Sequence, residues 1–135
     1  MEGGQPIRVL VVDDHRMFTD ALTTVLDQDG RFVVVGTAAT GREAVRLAKT
    51  AEAEVVLMDM SMPVLDGPAA TRRLLALDHA PCVIALSGHT DTLSRAAALE
   101  AGASAFVTKS EAFDELVATI LSVYGSQLDS GSAGA

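Results

Sequence analysis

The segment IRVLVVDD, residues 7–14, decides the fold of this 135-residue chain. Five of its first six residues are apolar, and four of those are isoleucine or valine. An apolar, largely β-branched run of this length, interrupted only by Arg8, is typical of a strand buried on both faces of a parallel sheet. Two carboxylates follow directly. The segment therefore predicts a buried strand that delivers acidic side chains to one edge of a sheet.

Outward from this strand, apolar runs alternate with segments of helical periodicity along the whole chain. Further strands are predicted at 32–35, 55–58, 83–86 and 104–107, and helices at 17–30, 42–51, 67–75, 91–101 and 111–124. Five strands that alternate with five helices predict an α/β fold, in which right-handed crossovers place helices on both faces of a parallel sheet.

The composition is that of one globular domain. Apolar residues make up 49% of the chain and charged residues 21%, and a domain typically has about 100–200 residues. We assign residues 1–124 to this domain. Residues 125–135, GSQLDSGSAGA, are rich in Gly, Ser and Ala and have no apolar period. They are predicted to be a flexible linker or a disordered tail.

Charge and cysteine content exclude several classes of function. The net charge of −8 argues against direct binding to nucleic acid or to anionic lipid, which requires clustered basic side chains. A single cysteine, Cys82, excludes an internal disulfide and a CxxC metal or redox motif. No apolar run reaches the eighteen or so residues of a membrane span, and the first residues do not resemble a signal peptide. We expect a cytoplasmic protein.

Ligands of open parallel sheets bind outside the carboxyl ends of the strands, so the residues that follow each strand indicate the site. Asp13 and Asp14 follow the first predicted strand, and Asp59 follows the third. Ser87 follows the fourth strand, and Lys109 lies just beyond the fifth. We therefore expect three carboxylates, a hydroxyl and an ammonium to meet at one edge of the sheet.

Such a cluster predicts phosphoryl chemistry. Two carboxylates about 4 Å apart repel by roughly 4 kcal/mol at an effective dielectric of about 20. Mg²⁺ relieves that repulsion, because it binds carboxylate oxygens and completes its shell with water and phosphate. Asp59 would be the nucleophile, with Ser87 and Lys109 neutralising the transferred group. Taken singly, each acid is more typical of a helix cap or a turn, and Lys109 is more typical of a solvated surface charge. The convergence of these side chains on one edge favours a phosphoryl-transfer site.

Four motifs resemble the receiver domain of two-component response regulators: VLVVDDHRMF (9–18), VVLMDMSMPVLDG (55–67), IALSG (84–88) and AFVTK (105–109). The resemblance covers about residues 7–124. It implies a flavodoxin-like (CheY-like), doubly wound sheet of five parallel strands in the order 2-1-3-4-5, with five helices. The DDH start, the segment VVGTAATGREAV (34–45) and the Lys-Ser step at 109–110 are most similar to the NarL/LuxR-type branch, which usually carries a C-terminal helix-turn-helix DNA-binding domain.

The resemblance implies which residues hold the phosphoryl group and the metal. Asp59 resembles the phosphoacceptor of the family. Asp13 and Asp14 resemble the acidic pair that binds Mg²⁺, and of the two Asp14 is favoured as the direct ligand. Asp59 and the main-chain carbonyl of Ser61 would complete the protein ligands of the metal.

The resemblance also implies switch and rate-tuning residues. Ser87 resembles the hydroxyl that binds the phosphoryl group and moves toward it, and Lys109 resembles the lysine that pairs with a phosphoryl oxygen. Phe106 occupies the position of the switch aromatic, although a core aromatic of the last strand is an equal interpretation. Ser61 and His89 occupy positions that tune phosphorylation and dephosphorylation rates. The isomer of the peptide bond after Lys109 stays open, since the next residue is serine rather than the proline of many receivers.

The implied function is a phosphorylation switch rather than a conventional enzyme. A sensor histidine kinase would phosphorylate Asp59, and the domain would relay the change to an output, a DNA-binding transcription domain absent from this chain. The chain would then be the regulatory half of a longer protein. It could form homodimers through its last helix or through the face made by helix 4, strand 5 and helix 5.

Three alternatives remain open. A receiver could act alone or without phosphorylation. A flavodoxin-like flavin or nucleotide module would need a phosphate-binding loop where Asp13 and Asp14 stand. A metal-dependent phosphohydrolase would need a second acid–base carboxylate soon after its nucleophile, whereas residues 60–63 are MSMP.

Overall fold

Strands and helices alternate throughout the part of the chain that the computed structural model describes, residues 5–60, 67–88 and 92–134. The elements are β1 (Ile7–Val12), α1 (Arg16–Asp27), β2 (Phe32–Ala38), α2 (Gly41–Thr50), β3 (Val55–Asp59), α3 (Gly67–Leu75), β4 (Cys82–Ser87), α4 (Thr92–Glu100), β5 (Ala105–Thr108) and α5 (Lys109–Gly134). The sheet order is β2-β1-β3-β4-β5, and all four strand pairs are parallel. The predicted fold is confirmed.

The strand β1 lies inside the sheet and touches both hydrophobic cores. Leu10 and Val12 belong to the core covered by α2, α3 and α4, whereas Val9 and Val11 belong to the core covered by α1 and α5. All four side chains are fully buried. Because successive strand residues point to opposite faces, a strand covered on both sides must be apolar throughout. This is why residues 9–12 form one apolar run.

The strands end later than their apolar patterns predict. The strands β3, β4 and β5 include Asp59, Ser87 and Thr108 as their last residues, and β2 continues from Val35 to Ala38. In the sheet register Ser87 lies opposite Thr108. The strands continue because the hydrogen bonds between strands use the backbone and extend past the last apolar side chain. Polar side chains are consequently held on strand ends rather than on loops.

The helix α5 begins at Lys109, directly after β5, rather than at Glu111. The Thr108 hydroxyl and backbone N–H donate to Glu111 Oε1 over 2.8 and 3.3 Å, respectively. This pairing of a threonine with the glutamate three residues later is typical of the start of a helix. None of the described peptide bonds is cis, so the Lys109–Ser110 bond is trans.

The same helix also continues beyond the predicted end at Tyr124, to Gly134. The packed part of the helix provides the nucleus, after which each residue adds one hydrogen bond, and residues 125–134 contain no proline. The division of the chain at 124/125 and the linker role of 125–135 stay predictions. None of the helices within the described ranges has the length and apolar character that a membrane span requires.

The amino edge of the sheet is held by a polar network around Glu54. Its carboxylate accepts hydrogen bonds from the Arg8 backbone N–H over 3.0 Å and from the Tyr124 hydroxyl over 2.5 Å. The Arg8 guanidinium donates to the carbonyl of Ala51. Burial and the neighbouring Glu54 carboxylate raise the pKa of Tyr124 to about 12. Tyr124 thus fastens α5 to the edge of the sheet opposite Lys109.

Replacing Tyr124 with Phe is expected to lower the free energy of unfolding by about 1 to 2 kcal/mol at pH 7, since it removes a hydrogen bond to a charged acceptor. A tyrosine whose pKa is raised by folding contributes its stability fully below its unfolded value near 10, and loses it as the pH approaches 12. Urea unfolding of native protein and variant from pH 7 to 11.5 should therefore show a difference that shrinks above pH 10. A constant difference would contradict this origin.

Candidate functional site

Three charged side chains meet at the carboxyl edge of the sheet. Asp13 follows β1, Asp59 ends β3, and Lys109 begins α5. The Lys109 Nζ atom lies 2.5 Å from Asp13 Oδ2 and 3.6 Å from Asp59 Oδ2. The two carboxylates are 0% and 2% exposed and the lysine side chain is 18% exposed. One ammonium therefore offsets two buried negative charges that would otherwise repel each other.

His15 completes the cluster on its solvent side. Its backbone N–H donates to Asp13 Oδ1 over 2.9 Å. Its Nδ1 atom lies 2.9 Å from the same oxygen, 3.3 Å from Asp14 Oδ1 and 3.3 Å from Lys109 Nζ. Sequence reasoning used this histidine only as a marker of one family branch. Its position directly after two aspartates was the available signal that it belongs to the site.

The charge balance favours an ionised Asp13. Burial opposes ionisation, but the hydrogen bonds from Lys109 and from the backbone and ring of His15 outweigh it, and together they hold the Asp13 pKa below its ordinary value of 3.8. The carboxylate is therefore negatively charged at neutral pH, as a metal ligand must be.

The acidic cluster has the donor chemistry of a magnesium site. Asp13, Asp14, His15 and Asp59 each offer one atom, and these atoms all lie within 4.8 Å of one another. Three of the four donors are carboxylate oxygens, the ligands that Mg²⁺ prefers, and Mg²⁺ usually keeps several waters beside one or two carboxylates. The residues present fit this ion. The predicted carbonyl ligand, Ser61, lies outside the described residues.

A cleft between α1 and the segment that joins β2 to α2 opens onto Asp13 and Asp14. The cleft has a volume of about 230 Å³. It is lined by Asp13, Asp14, Arg16, Thr19, Thr37, Ala38, Ala39 and Glu43. An ion and its waters can therefore approach Asp13, although its side chain is buried.

Ser87 lies on the strand next to Asp59. It ends β4, is 1% exposed, and comes one residue after Leu86, which pairs with Asp59 in the register. Gly88 follows it and is exposed, and apart from its two chain neighbours a Cβ atom at that position would meet no atom of the described residues within 4 Å. Gly88 therefore adds no side chain over the Ser87–Asp59 edge. The predicted rate-tuning residue His89 lies outside the described residues.

The sequence model of the response regulator receiver domain matches residues 9–121. This chain belongs to the response regulator receiver family. Response regulator UvrY of Escherichia coli (strain K12) is 38% identical over 121 residues, which are 90% of this chain and 56% of UvrY. The receiver thus spans about half the length of this curated relative.

Solved structures of other receivers have the same fold. The signal receiver domain of the putative response regulator NarL from Mycobacterium tuberculosis superposes with a TM-score of 0.85 at 30% identity, covering 90% of this chain and 98% of that one. The CheX–CheY–BeF₃–Mg²⁺ complex from Borrelia burgdorferi gives a TM-score of 0.81 at 29% identity, covering 90% of this chain and 91% of that one.

Phe106 of this receiver lies on β5, opposite Ala85. Its ring is half-buried against the core covered by α2, α3 and α4. The Arg95 guanidinium of α4 lies 5.7 Å from the ring centre, within the range of a cation–π contact. The side chain therefore links α4 to β5. Its role as a switch aromatic stays a prediction.

The absence of a side chain at Gly67 allows α3 to begin close to the backbone of Asp59. A Cβ atom on Gly67 would lie 2.5 Å from the Asp59 carbonyl oxygen and 2.5 Å from Met60 Cα. The start of α3 is fixed there, because the Thr71 hydroxyl donates to the Gly67 carbonyl over 2.8 Å. Only a residue without a side chain lets α3 begin this close to the end of β3. Sequence reasoning used Gly67 only as a helix start.

Proposed function

We propose that this receiver is a cytoplasmic, phosphorylation-dependent switch in which Asp59 accepts a phosphoryl group from a sensor histidine kinase in the presence of Mg²⁺. The buried cluster of Asp13, Asp59 and Lys109 is the observation that carries the proposal. It places the Asp59 carboxylate 3.6 Å from the Lys109 ammonium, next to an acidic site that fits a divalent cation. The protein catalyses its own phosphorylation and dephosphorylation and is otherwise not an enzyme.

In the transfer step, an Asp59 oxygen attacks the phosphorus atom of a phosphohistidine. A P–O bond forms, the P–N bond breaks, and the imidazole leaves with the electron pair. Mg²⁺ would neutralise the phosphoryl charge. The residues that would hold it are Asp13, Asp14, Asp59 and, through its carbonyl, Ser61. The Lys109 ammonium neutralises a further oxygen. Water later cleaves the acyl phosphate to regenerate the carboxylate and inorganic phosphate.

The phosphoryl group changes the balance of charge at the cluster. The group carries about −1.5 to −2 charges, whereas the Asp59 carboxylate carries at most −1, and the added negative charge draws Lys109 away from Asp13 and attracts the hydroxyl of Ser87. Movement of Ser87 makes room for the Phe106 ring to turn inward. The equilibrium between two arrangements of α4 and β5 then shifts. His89 and Ser61 set how readily water and the phosphodonor reach Asp59.

The output and partners follow from the same proposal. The resemblance to the NarL/LuxR-type branch favours a DNA-binding transcription domain as output, so DNA contacts would be made outside this chain. The homodimer would form through α5 or through the surface made by α4, β5 and α5. The exposed part of Phe113 on α5, 45% of its surface, would contribute apolar area to such a contact.

Titration with beryllofluoride and Mg²⁺, followed by ¹⁹F NMR, tests the proposal. Native protein should give a saturable bound signal that depends on Mg²⁺, and Asp59→Ala should give none. Asp14→Ala should weaken Mg²⁺ binding by on the order of tenfold or more, as removal of metal-site groups does. Asp20→Ala, an exposed acid of α1, is the matched control and should behave as native. A bound signal that survives Asp59→Ala would contradict the assignment of the phosphoacceptor.

A further inference from the structure

Lys109 has an aromatic neighbour in addition to its charged ones. Its Nζ atom lies 4.9 Å from the centre of the Phe18 ring, inside the distance of about 6 Å at which a ring face attracts an ammonium. On its other sides the same atom faces Asp13, Asp59 and His15. Phe18 belongs to α1, so an element that carries none of the predicted site residues contacts the ammonium of the site.

The packing of α1 against α5 holds this ring in place. Phe18 is in the first turn of α1, and its backbone N–H donates to the His15 carbonyl over 3.0 Å. On α5, Phe113 lies four residues after Lys109, so both side chains stand on one face of the helix. The Phe18 and Phe113 rings meet edge to face, with centres 5.8 Å apart and planes at 76°. Phe18 therefore contacts the α5 face that presents Lys109.

The position of the ammonium needs such a restraint. Lysine carries its charge on a flexible four-carbon stem with considerable rotamer freedom. Lys109 faces two acids at unequal distances, 2.5 Å to Asp13 and 3.6 Å to Asp59, and a third, Asp14, is more exposed to solvent. Ion pairs alone would allow the ammonium to follow whichever carboxylate moves. A ring fixed by α1 and Phe113 limits that freedom without adding a charge.

We propose that Phe18 is a positioning residue for Lys109. The face of its ring holds the ammonium within reach of Asp59, so that Lys109 is already in place when a phosphoryl group arrives. The phosphoryl part of this inference rests on the proposed function; the contact between ring and ammonium does not. Phe18 acts only through Lys109 and touches neither the phosphodonor nor the metal.

The first experiment examines the contact in protein without metal or phosphodonor. The chain contains only two lysines, Lys49 and Lys109, so ¹³C-lysine labelling gives two sets of ε-CH₂ signals, assigned with Lys49→Arg. We expect the Lys109 signals to be shifted upfield by the ring current. Phe18→Leu should abolish the shift, Phe18→Tyr should keep it, and Phe113→Tyr, which keeps the ring that packs on Phe18, should leave Lys109 shifted. Unchanged Lys109 signals in Phe18→Leu would overturn the proposal.

The second experiment examines the consequence for the site. Phe18→Leu should weaken beryllofluoride affinity about three- to tenfold, the range expected for a cation–π contact, while its Mg²⁺ affinity stays native. Phe18→Tyr should restore the beryllofluoride affinity, because it keeps the aromatic face toward Lys109, and urea unfolding verifies that each variant is folded. If native protein binds no beryllofluoride, the proposed function fails. If native protein binds it and Phe18→Leu binds equally well, the positioning role fails and the proposed function stands.

Discussion

Gly67→Ala is expected to lower the free energy of unfolding by about 3 kcal/mol, the upper part of the usual range for overpacking. The new methyl group would lie 2.5 Å from the Asp59 carbonyl oxygen and from Met60 Cα. Both are backbone atoms, so no side-chain rotation relieves the overlap. Either α3 or the end of β3 must move, and each movement displaces the Asp59 carboxylate relative to Asp13 and Lys109.

Urea unfolding and Mg²⁺ titration by calorimetry measure the two consequences of this change. We expect a lower free energy of unfolding together with weaker Mg²⁺ binding. Gly88→Ala is the matched control at the same edge of the sheet, because a Cβ atom there meets none of the described atoms beyond its chain neighbours within 4 Å. Its stability should stay within about 0.5 kcal/mol of native. A Gly67→Ala protein as stable as Gly88→Ala would contradict the close approach of α3 to Asp59.

Lys109→Ala is expected to cost about 3 to 5 kcal/mol at pH 7 without metal, as does removal of one partner from a buried ion pair. Asp13 and Asp59 would face each other in the buried site without the ammonium. Lys49→Ala, which removes the exposed lysine of α2, is the matched control and should change stability by less than about 0.5 kcal/mol. Urea unfolding in the presence of a chelator gives both values.

The stability of Lys109→Ala should depend less steeply on pH than that of the native protein. In the native protein the folded pKa of Asp13 is lowered below 3.8, so its contribution to stability is present above that pH and is lost as the pH falls through the folded pKa. Without Lys109 the Asp13 pKa rises, because burial is then opposed only by the hydrogen bonds from His15. The variant should therefore lose less stability than the native protein as the pH falls below neutral, and parallel pH profiles would contradict this account.

The sequence predicted the architecture because burial on both faces of a sheet imposes an apolar pattern that can be read directly. It also predicted that Asp13, Asp14, Asp59 and Lys109 would meet, because parallel strands share one carboxyl edge. It placed the strand ends too early, since the apolar pattern stops at Met58 although the backbone ladder continues to Asp59.

The pairing of side chains within the site could not be predicted from the sequence. Nothing in the order of residues says that Lys109 pairs more closely with Asp13 than with Asp59, because that choice depends on the torsions of a long side chain. The contact of Phe18 with Lys109 depends on the packing of α1 against α5, which are far apart in the chain. In contrast, the Thr108–Glu111 start of α5 could have been predicted, since threonine followed three residues later by glutamate is a helix-start signature.

The two attachments of α5 to the sheet constrain how a signal leaves the site. Lys109 is attached at the carboxyl edge through Asp13 and Tyr124 at the amino edge through Glu54, and about 22 Å of helix separates them at 1.5 Å per residue. Because both ends of this part of α5 are attached to the sheet, the helix cannot pivot about one end. Displacement of Lys109 must instead translate α5 along its axis or rotate it about that axis against α1. Distance labels on α1 and α5 should therefore report a translation on the order of an ångström, as in other helix shifts, with little change in the angle between the two helices.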